Sequence, residues 1–159
     1  MEMKIRLLVC GKTEENFLRE GIGEYATRIR RYLPFEIVEV PAEKGNSRLP
    51  VQGQLAREAS MLEKKILPSD VLILLDEHGK QLSSTEFAEF LNRQFLSGGK
   101  NLVFVVGGPF GFDPSLKQKA DHLLSLSRMT FSHQMVRLFF TEQLYRALTI
   151  LRGESYHHE

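Results

Sequence analysis
The sequence is short of several things, and each shortage excludes a class of protein. Cysteine is nearly absent: Cys10 stands alone. No internal disulfide framework can form, and the chain suits a reducing compartment, the cytoplasm. Long hydrophobic runs are missing. Stretches such as VLILL at 71–75 fall far short of the roughly 20 residues a membrane span requires. The opening MEMKIRLLVCGK carries a charge inside its first apolar run and no small-residue cleavage site, so it does not read as a secretory signal. There is no excess of one charge either. The net value is +1, so no global field draws the protein onto a polyanion, and such a partner has to be held by a local patch. Repeats, low-complexity tracts and linkers are also absent.

What is present is 159 residues, 42% of them hydrophobic, enough for a single compact domain over residues 1–159. Strand-like and helix-like stretches alternate. KIRLLVC (4–10) reads as a strand, and residues 13–33 as an amphipathic helix with Phe17, Ile22, Tyr25, Ile29 and Leu33 at helical spacing. FEIVEV (35–40) alternates like a half-buried strand. AEKGNSRLP (42–50) is polar and punctuated, which predicts a mobile loop. A helix over 51–66 and the strand DVLILLD (70–76) follow. Ser83 and Glu86 form a capping box before a helix to about residue 97. NLVFVV (101–106), a short helix, LLSLS (123–127) and a long helix over 133–152 complete the order βαβαβαβαβα, which predicts an α/β fold with a parallel sheet flanked by helices. In the last helix Val136, Phe139, Phe140, Leu144, Ala147, Leu148 and Leu151 form a stripe that Leu138 and Ile150 widen. A helix apolar on more than one side is buried on more than one side, which favours a homodimer.

Several motifs invite chemistry and fail a closer test. CGKT (10–13) suggests a phosphate-binding loop, but the glycine expected five residues before Gly11 is Arg6. Cys10 lacks the arginine a phosphatase nucleophile would have six residues on, where Asn16 stands, and reads as a buried strand cysteine. His78, His122, His133, His157 and His158 are scattered and have no cysteine partners, so no metal site is expected.

The glycine loop GGPFG (107–111) is stronger. It ends a buried strand and sits with two other irregular stretches, LLDEHGK (74–80) and LSRMTF (126–131). Ligands of open α/β sheets bind where such loops converge at the carboxyl ends of strands. Three of them suit a molecule with a flat ring and a polar tail. Around the last helix lie Arg128, Arg137, Arg146 and Arg152, and the chain closes on Tyr156-His157-His158, an aromatic beside groups that titrate near neutral pH.

Taken together, GGPFG, LSRMTF, the spacing of His133, Arg137 and Tyr145-Arg146-Ala147, and the closing Tyr156-His157 resemble the small ribosomal RNA large-subunit methyltransferases that modify a pseudouridine, members of the SPOUT superfamily. The resemblance spans essentially the whole chain. It implies a C-terminal trefoil knot over about 70–159, which periodicity alone does not suggest because knots are nearly absent from proteins. It implies S-adenosylmethionine as cofactor, held by Leu75, Gly107 and the stretch Leu126, Ser127, Arg128, Met129, Thr130 and Phe131. On this reading GGPFG lets bare backbone approach the cofactor. It further implies a homodimer with sites completed near the subunit boundary, and methylation of N3 of a pseudouridine in large-subunit ribosomal RNA. Tyr156, His157 and Arg146 are the catalytic residues expected, with His157 accepting the imide proton, Arg146 stabilising charge on a flanking carbonyl and Tyr156 holding the base. In the resembled pattern a basic residue commonly follows the tail histidine, where this chain has His158 and then Glu159.

A near-neutral chain without an added RNA-binding domain is expected to read assembled ribosomes, with Lys44 and Arg48 in the 42–50 loop as an RNA contact. Two other classes stay open on the sequence: a non-catalytic ribosome-binding factor of the same fold, and a small-molecule methyltransferase.

Overall fold
A computed structural model of the chain describes residues 3–42 and 44–158. It places five strands and five helices in the expected order: β1 (Ile5–Cys10), α1 (Asn16–Ile29), β2 (Phe35–Val40), α2 (Val51–Glu63), β3 (Val71–Gln81), α3 (Ser84–Leu96), β4 (Leu102–Val106), α4 (Pro114–Lys119), β5 (His122–Ser125) and α5 (His133–Leu151). The strands form one parallel sheet in the order β2-β1-β4-β3-β5.

Strand β4 is central and buried along its whole length, as a continuous run of Leu, Val and Phe requires when both faces of a parallel sheet are covered. Its alternation sorts the core into two. Phe104 and Val106 join Leu7, Val9 and Ile73 under α1, α3 and α5. Val103 and Val105 join Leu8, Leu72 and Leu74 under α2 and α4. At the head of α3 the capping box forms as the sequence predicts: Ser83 Oγ accepts from Glu86 N and Glu86 Oε1 from Ser83 N.

Three expectations change. Phe17 is not part of the core; it is 60% exposed, and the buried stripe of α1 is Leu18, Ile22, Ala26 and Ile29, spaced by four, four and three. Strand β3 does not stop at Asp76. Leu75 and Lys80 both register with Leu124, so Asp76–Gly79 loop out and the strand resumes to Gln81. Gly79 makes this possible, since a Cβ there would lie 2.6 Å from the carbonyl carbon of Leu123. Strand β5 ends at Ser125 rather than 127, releasing Leu126 and Ser127 into the following loop.

Helix α5 packs against both α1 and α3. Leu138 lies over Gly21 of α1, where an added Cβ would meet its methyl at 3.0 Å. Neighbours within the same chain thus absorb part of the apolar excess of α5. The loop over 42–50 contains a single 3₁₀ turn, Asn46–Arg48, entered through Gly45 at φ +79°; Glu43 lies outside the described residues. Among the described residues no helix is long and apolar enough to cross a membrane.

Candidate active site
The carboxyl ends of β3, β4 and β5 converge on one cleft of about 680 Å³. Its walls are the β3 bulge, the glycine loop and the stretch after β5. Leu75, Gly107, Leu126, Ser127, Met129, Thr130 and Phe131 all line it, whereas Arg128 is exposed and does not. The stretch after β5 is tied to the β3 bulge and to itself. Thr130 Oγ1 donates to Glu77 Oε2 at 3.0 Å, and Ser125 Oγ to the Ser127 carbonyl at 2.8 Å. Lys117 lies 3.2 Å from Asp76. Sequence reading placed Asp76 within a pocket-forming loop, though not as a cofactor contact, and missed Lys117 and His133 as cleft residues. Their placement depends on the bulge and on where α4 and α5 begin, neither of which periodicity locates.

The glycine loop folds on itself. Gly108 and Gly111 form an antiparallel bridge, and Gly111 takes φ +81°, a conformation costly for other residues. A Cβ at Gly107 would meet the Gly111 carbonyl oxygen at 2.9 Å and the Phe112 ring at 3.2 Å. Glycine is therefore demanded at 107 by the loop itself, before any ligand is considered.

The cleft suits a nucleoside-bearing cation such as S-adenosylmethionine. Its volume lies within the range of small-molecule sites, its lining is mixed apolar and polar, and of the two carboxylates on one wall Asp76 is already paired with Lys117 while Glu77 accepts from Thr130. Among the described residues no group of three or more His, Cys, Asp or Glu side chains is arranged to hold a metal ion.

A second constellation lies elsewhere on the molecule. Glu142 Oε1 accepts from Arg146 Nε at 3.1 Å and Nη2 at 2.6 Å, and from the Tyr156 hydroxyl at 3.0 Å. The guanidinium carbon stands 4.7 Å from the Tyr156 ring centroid. Since the Tyr156 hydroxyl donates to Glu142, it accepts from Tyr25, 3.3 Å away. All four tyrosines of the chain gather here, Tyr25 and Tyr32 of the α1 side against Tyr145 and Tyr145 against Tyr156. Burial first, then the hydrogen bonds with Tyr25 and Glu142, push the Tyr156 phenol up. The hydrogen bond to Glu142 raises Arg146 above its ordinary value.

Arg146 Nη1 also lies 3.1 Å from His157 Nδ1. A guanidinium can only donate, so Nδ1 accepts and the neutral ring carries its proton on Nε2. Sequence reading found Arg146, Tyr156 and His157 and missed Glu142, which joins them. Its place four residues before Arg146 on a helix is a signal that could have found it.

Within one chain the two constellations are apart. Neither Arg146, Tyr156 nor His157 lines the cleft. His133, which does, precedes Arg146 by thirteen residues of α5, about 20 Å at 1.5 Å per residue.

Arg137 turns out otherwise than grouping it with the surface arginines suggests. It is 1% exposed and donates to the carbonyls of Cys10 and Gly11 and to Thr13 Oγ1. CGKT is thus a turn, with Gly11 at φ +81°, locked from behind by an arginine.

The chain matches, over residues 3–157, the family model described as "Predicted SPOUT methyltransferase". It is 47% identical over 157 residues to the ribosomal RNA large subunit methyltransferase H of Porphyromonas gingivalis, covering 99% of this chain and 100% of that one. The protein of the same name from Bacteroides thetaiotaomicron is 45% identical over 157 residues, with the same coverage. Among solved structures, a probable methyltransferase from Bordetella pertussis Tohama I superposes with a TM-score of 0.57 at 13% identity, covering 92% of this chain and 95% of that one. At that identity the likeness speaks for the fold alone.

Proposed function
Because the chain belongs to the SPOUT methyltransferase family, we propose that it transfers a methyl group from S-adenosylmethionine to N3 of a pseudouridine in large-subunit ribosomal RNA. The observation that carries this reading is the strand-end cleft with its glycine loop in a chain that aligns end to end with enzymes named for methylating that RNA. We take residues 1–159 as one SPOUT domain in the cytoplasm, with the knotted region over about 70–159. The return of α5 from the β5 edge to pack on α1 and α3 supports that course.

Bound in the cleft, S-adenosylmethionine supplies an electrophilic methyl on a sulfonium. The chain's own residues hold it and prepare the acceptor. Leu75, Gly107, Leu126, Ser127 and Met129 to Phe131 form the cofactor wall, with Asp76 and Glu77 beside it; Arg128 stays outside it. The imide N3–H must lose its proton for the nitrogen to attack. Sequence reasoning makes His157 the acceptor of that proton; in the single chain Arg146 donates to its Nδ1, which puts the ring proton on Nε2, a buried atom. We therefore assign Arg146 to stabilising the negative charge on a flanking carbonyl and His157 to orienting the guanidinium, with the proton released to water. Glu142 fixes the guanidinium, and Tyr156 packs on it.

About 20 Å of helix separates this group from its own chain's cleft, so we propose a homodimer in which one protomer's tail completes its partner's site. Mixing tests this. A cleft variant (Leu75→Arg) and a tail variant (Arg146→Ala), each inactive alone, should regain methyl transfer when refolded together. Failure to complement, with both variants folded and dimeric, would place the whole site in one chain. Nucleoside analysis of the product should find N3-methylpseudouridine; a methyl on any other base rejects the acceptor assignment.

A further inference from the structure
The loop's own packing accounts for Gly107 but leaves the second glycine of the motif unexplained. Gly108 turns away from the cleft toward α2. Its amide donates to Glu58 Oε1 at 3.3 Å, and a Cβ built on it would lie 3.0 Å from Glu58 Oε2. The carboxylate therefore rests close against bare backbone, and a side chain at 108 would push it back by a few tenths of an ångström. Behind it is a pocket of about 190 Å³, lined by Cys10, Gly11, Asn46, Gln54 and Arg57 as well as Glu58, which shares Gly108 and Pro109 with the cofactor cleft. The glycine loop is thus a thin wall with the cofactor cleft on one side and Glu58 on the other.

We propose that Glu58 is a positioning residue for the glycine loop: by accepting the Gly108 amide from behind, it fixes the loop in the shape that the cofactor cleft requires. The proposal rests on reading that cleft as the S-adenosylmethionine site. Three observations support it. The loop is held across its own width by the Gly108–Gly111 bridge and the 3.2 Å bond from Gly111 N to the Gly108 carbonyl, contacts that set its curvature but not its tilt against the sheet. The Gly108 amide reaches two other elements, Glu58 Oε1 on α2 and Cys10 at the end of β1; Cys10 also hydrogen-bonds to Glu58, so both contacts meet at the carboxylate. Glu58 is itself held: it sits in the middle of α2, directly before the buried Ala59, and the Cys10 thiol at the end of β1 hydrogen-bonds to it. Burial and the Glu58 carboxylate push that thiol up, so it stays neutral and serves as a donor. The carboxylate joins the end of β1, the middle of α2 and the loop after β4. A carboxylate offers about four acceptor sites, enough for both donors.

The test compares Glu58→Ala, which removes the acceptor, with Glu58→Gln, which keeps an acceptor oxygen at the same reach without the charge. Binding of S-adenosylhomocysteine is measured by calorimetry, and exchange of the Gly108 amide by NMR on the ligand-free protein. Glu58→Ala should weaken binding about tenfold or more, as the loss of a hydrogen bond to a charged group does, and should speed Gly108 exchange while core amides of β4 stay protected. Glu58→Gln should restore both to within about threefold of the natural protein. In turnover, the alanine variant should show a raised KM for the methyl donor with kcat largely kept at saturation. Unchanged binding and exchange in Glu58→Ala overturn the proposal, and so does a Glu58→Gln variant as impaired as Glu58→Ala. If the natural protein binds no S-adenosylhomocysteine, the cofactor reading fails, and Gly108 exchange in the two variants still decides the role of Glu58.

Discussion
Arg146 and His157 are locked in one hydrogen bond, Nη1 to Nδ1 at 3.1 Å, while Glu142 grips the other edge of the same guanidinium. The ring proton therefore sits on Nε2, an atom buried in the single chain. Two substitutions separate orientation from charge. Glu142→Gln keeps the size but loosens the grip, and should lower kcat about 10²-fold with the donor's Kd unchanged, because Glu142 lies outside the cleft. Arg146→Ala should cost more, about 10²–10³-fold, as loss of a donor to developing charge does. Single-turnover rates with measured donor affinity check both.

The tail should loosen in alkali. Burial and the hydrogen bonds with Tyr25 and Glu142 hold the Tyr156 phenol above its ordinary value, and Tyr32, chiefly through burial, is pushed up to about 12. The unfolded chain releases these protons near pH 10, so the folded protein binds more protons in between. Their contribution to stability is complete below about pH 10 and is lost as pH rises through the folded-state values. Tyrosinate absorbance should show a late-titrating component that Tyr156→Phe reduces, leaving the part due to Tyr32; a titration identical in the variant contradicts this.

Arg137 is the molecule's buried charge lock. Arg137→Ala leaves the carbonyls of Cys10 and Gly11 and the Thr13 hydroxyl without their donor. It should lower the unfolding free energy by about 3 kcal/mol, with Arg137→Lys recovering only part because lysine lacks the fork. Urea titrations measure both.

The β3 bulge gives a prediction on the cofactor side. Gly79→Ala places a methyl carbon 2.6 Å from backbone of β5, where no flexible side chain can give way. The pairing of Lys80 and Gln81 with β5 should break, displacing the Asp76–Glu77 wall. Donor affinity should fall at least tenfold while β4 amides remain protected from exchange. Retained affinity would mean the bulge shifts without disturbing the cleft.

The order of elements was legible because each carries its own period: alternation in FEIVEV, a continuous apolar run in LVFVV, and a capping box at Ser83. Positions set by long-range contacts were not. Phe17 fits a helical stripe on paper, yet α1 turns it outward. Arg137 carries no local mark of burial; its partners are more than a hundred residues away at the end of β1. GGPFG was found for the right feature and an incomplete reason, since Gly107 answers to Gly111 and Phe112 within its own loop. Tyr156 and His157 were singled out at the chain end and given roles by resemblance; Glu142 had a local signal in its spacing from Arg146, while Tyr25 becomes visible only once the tail folds back onto α1 and α5.

The most direct measurement is transfer of labelled methyl from S-adenosylmethionine to ribosomes lacking the modification, beside deproteinised large-subunit RNA. A chain of net charge +1 should label ribosomes and leave naked RNA almost untouched, because weak phosphate attraction must be supplemented by shape. Label on neither substrate, with the methyl donor bound to the protein, would contradict ribosomal RNA methylation.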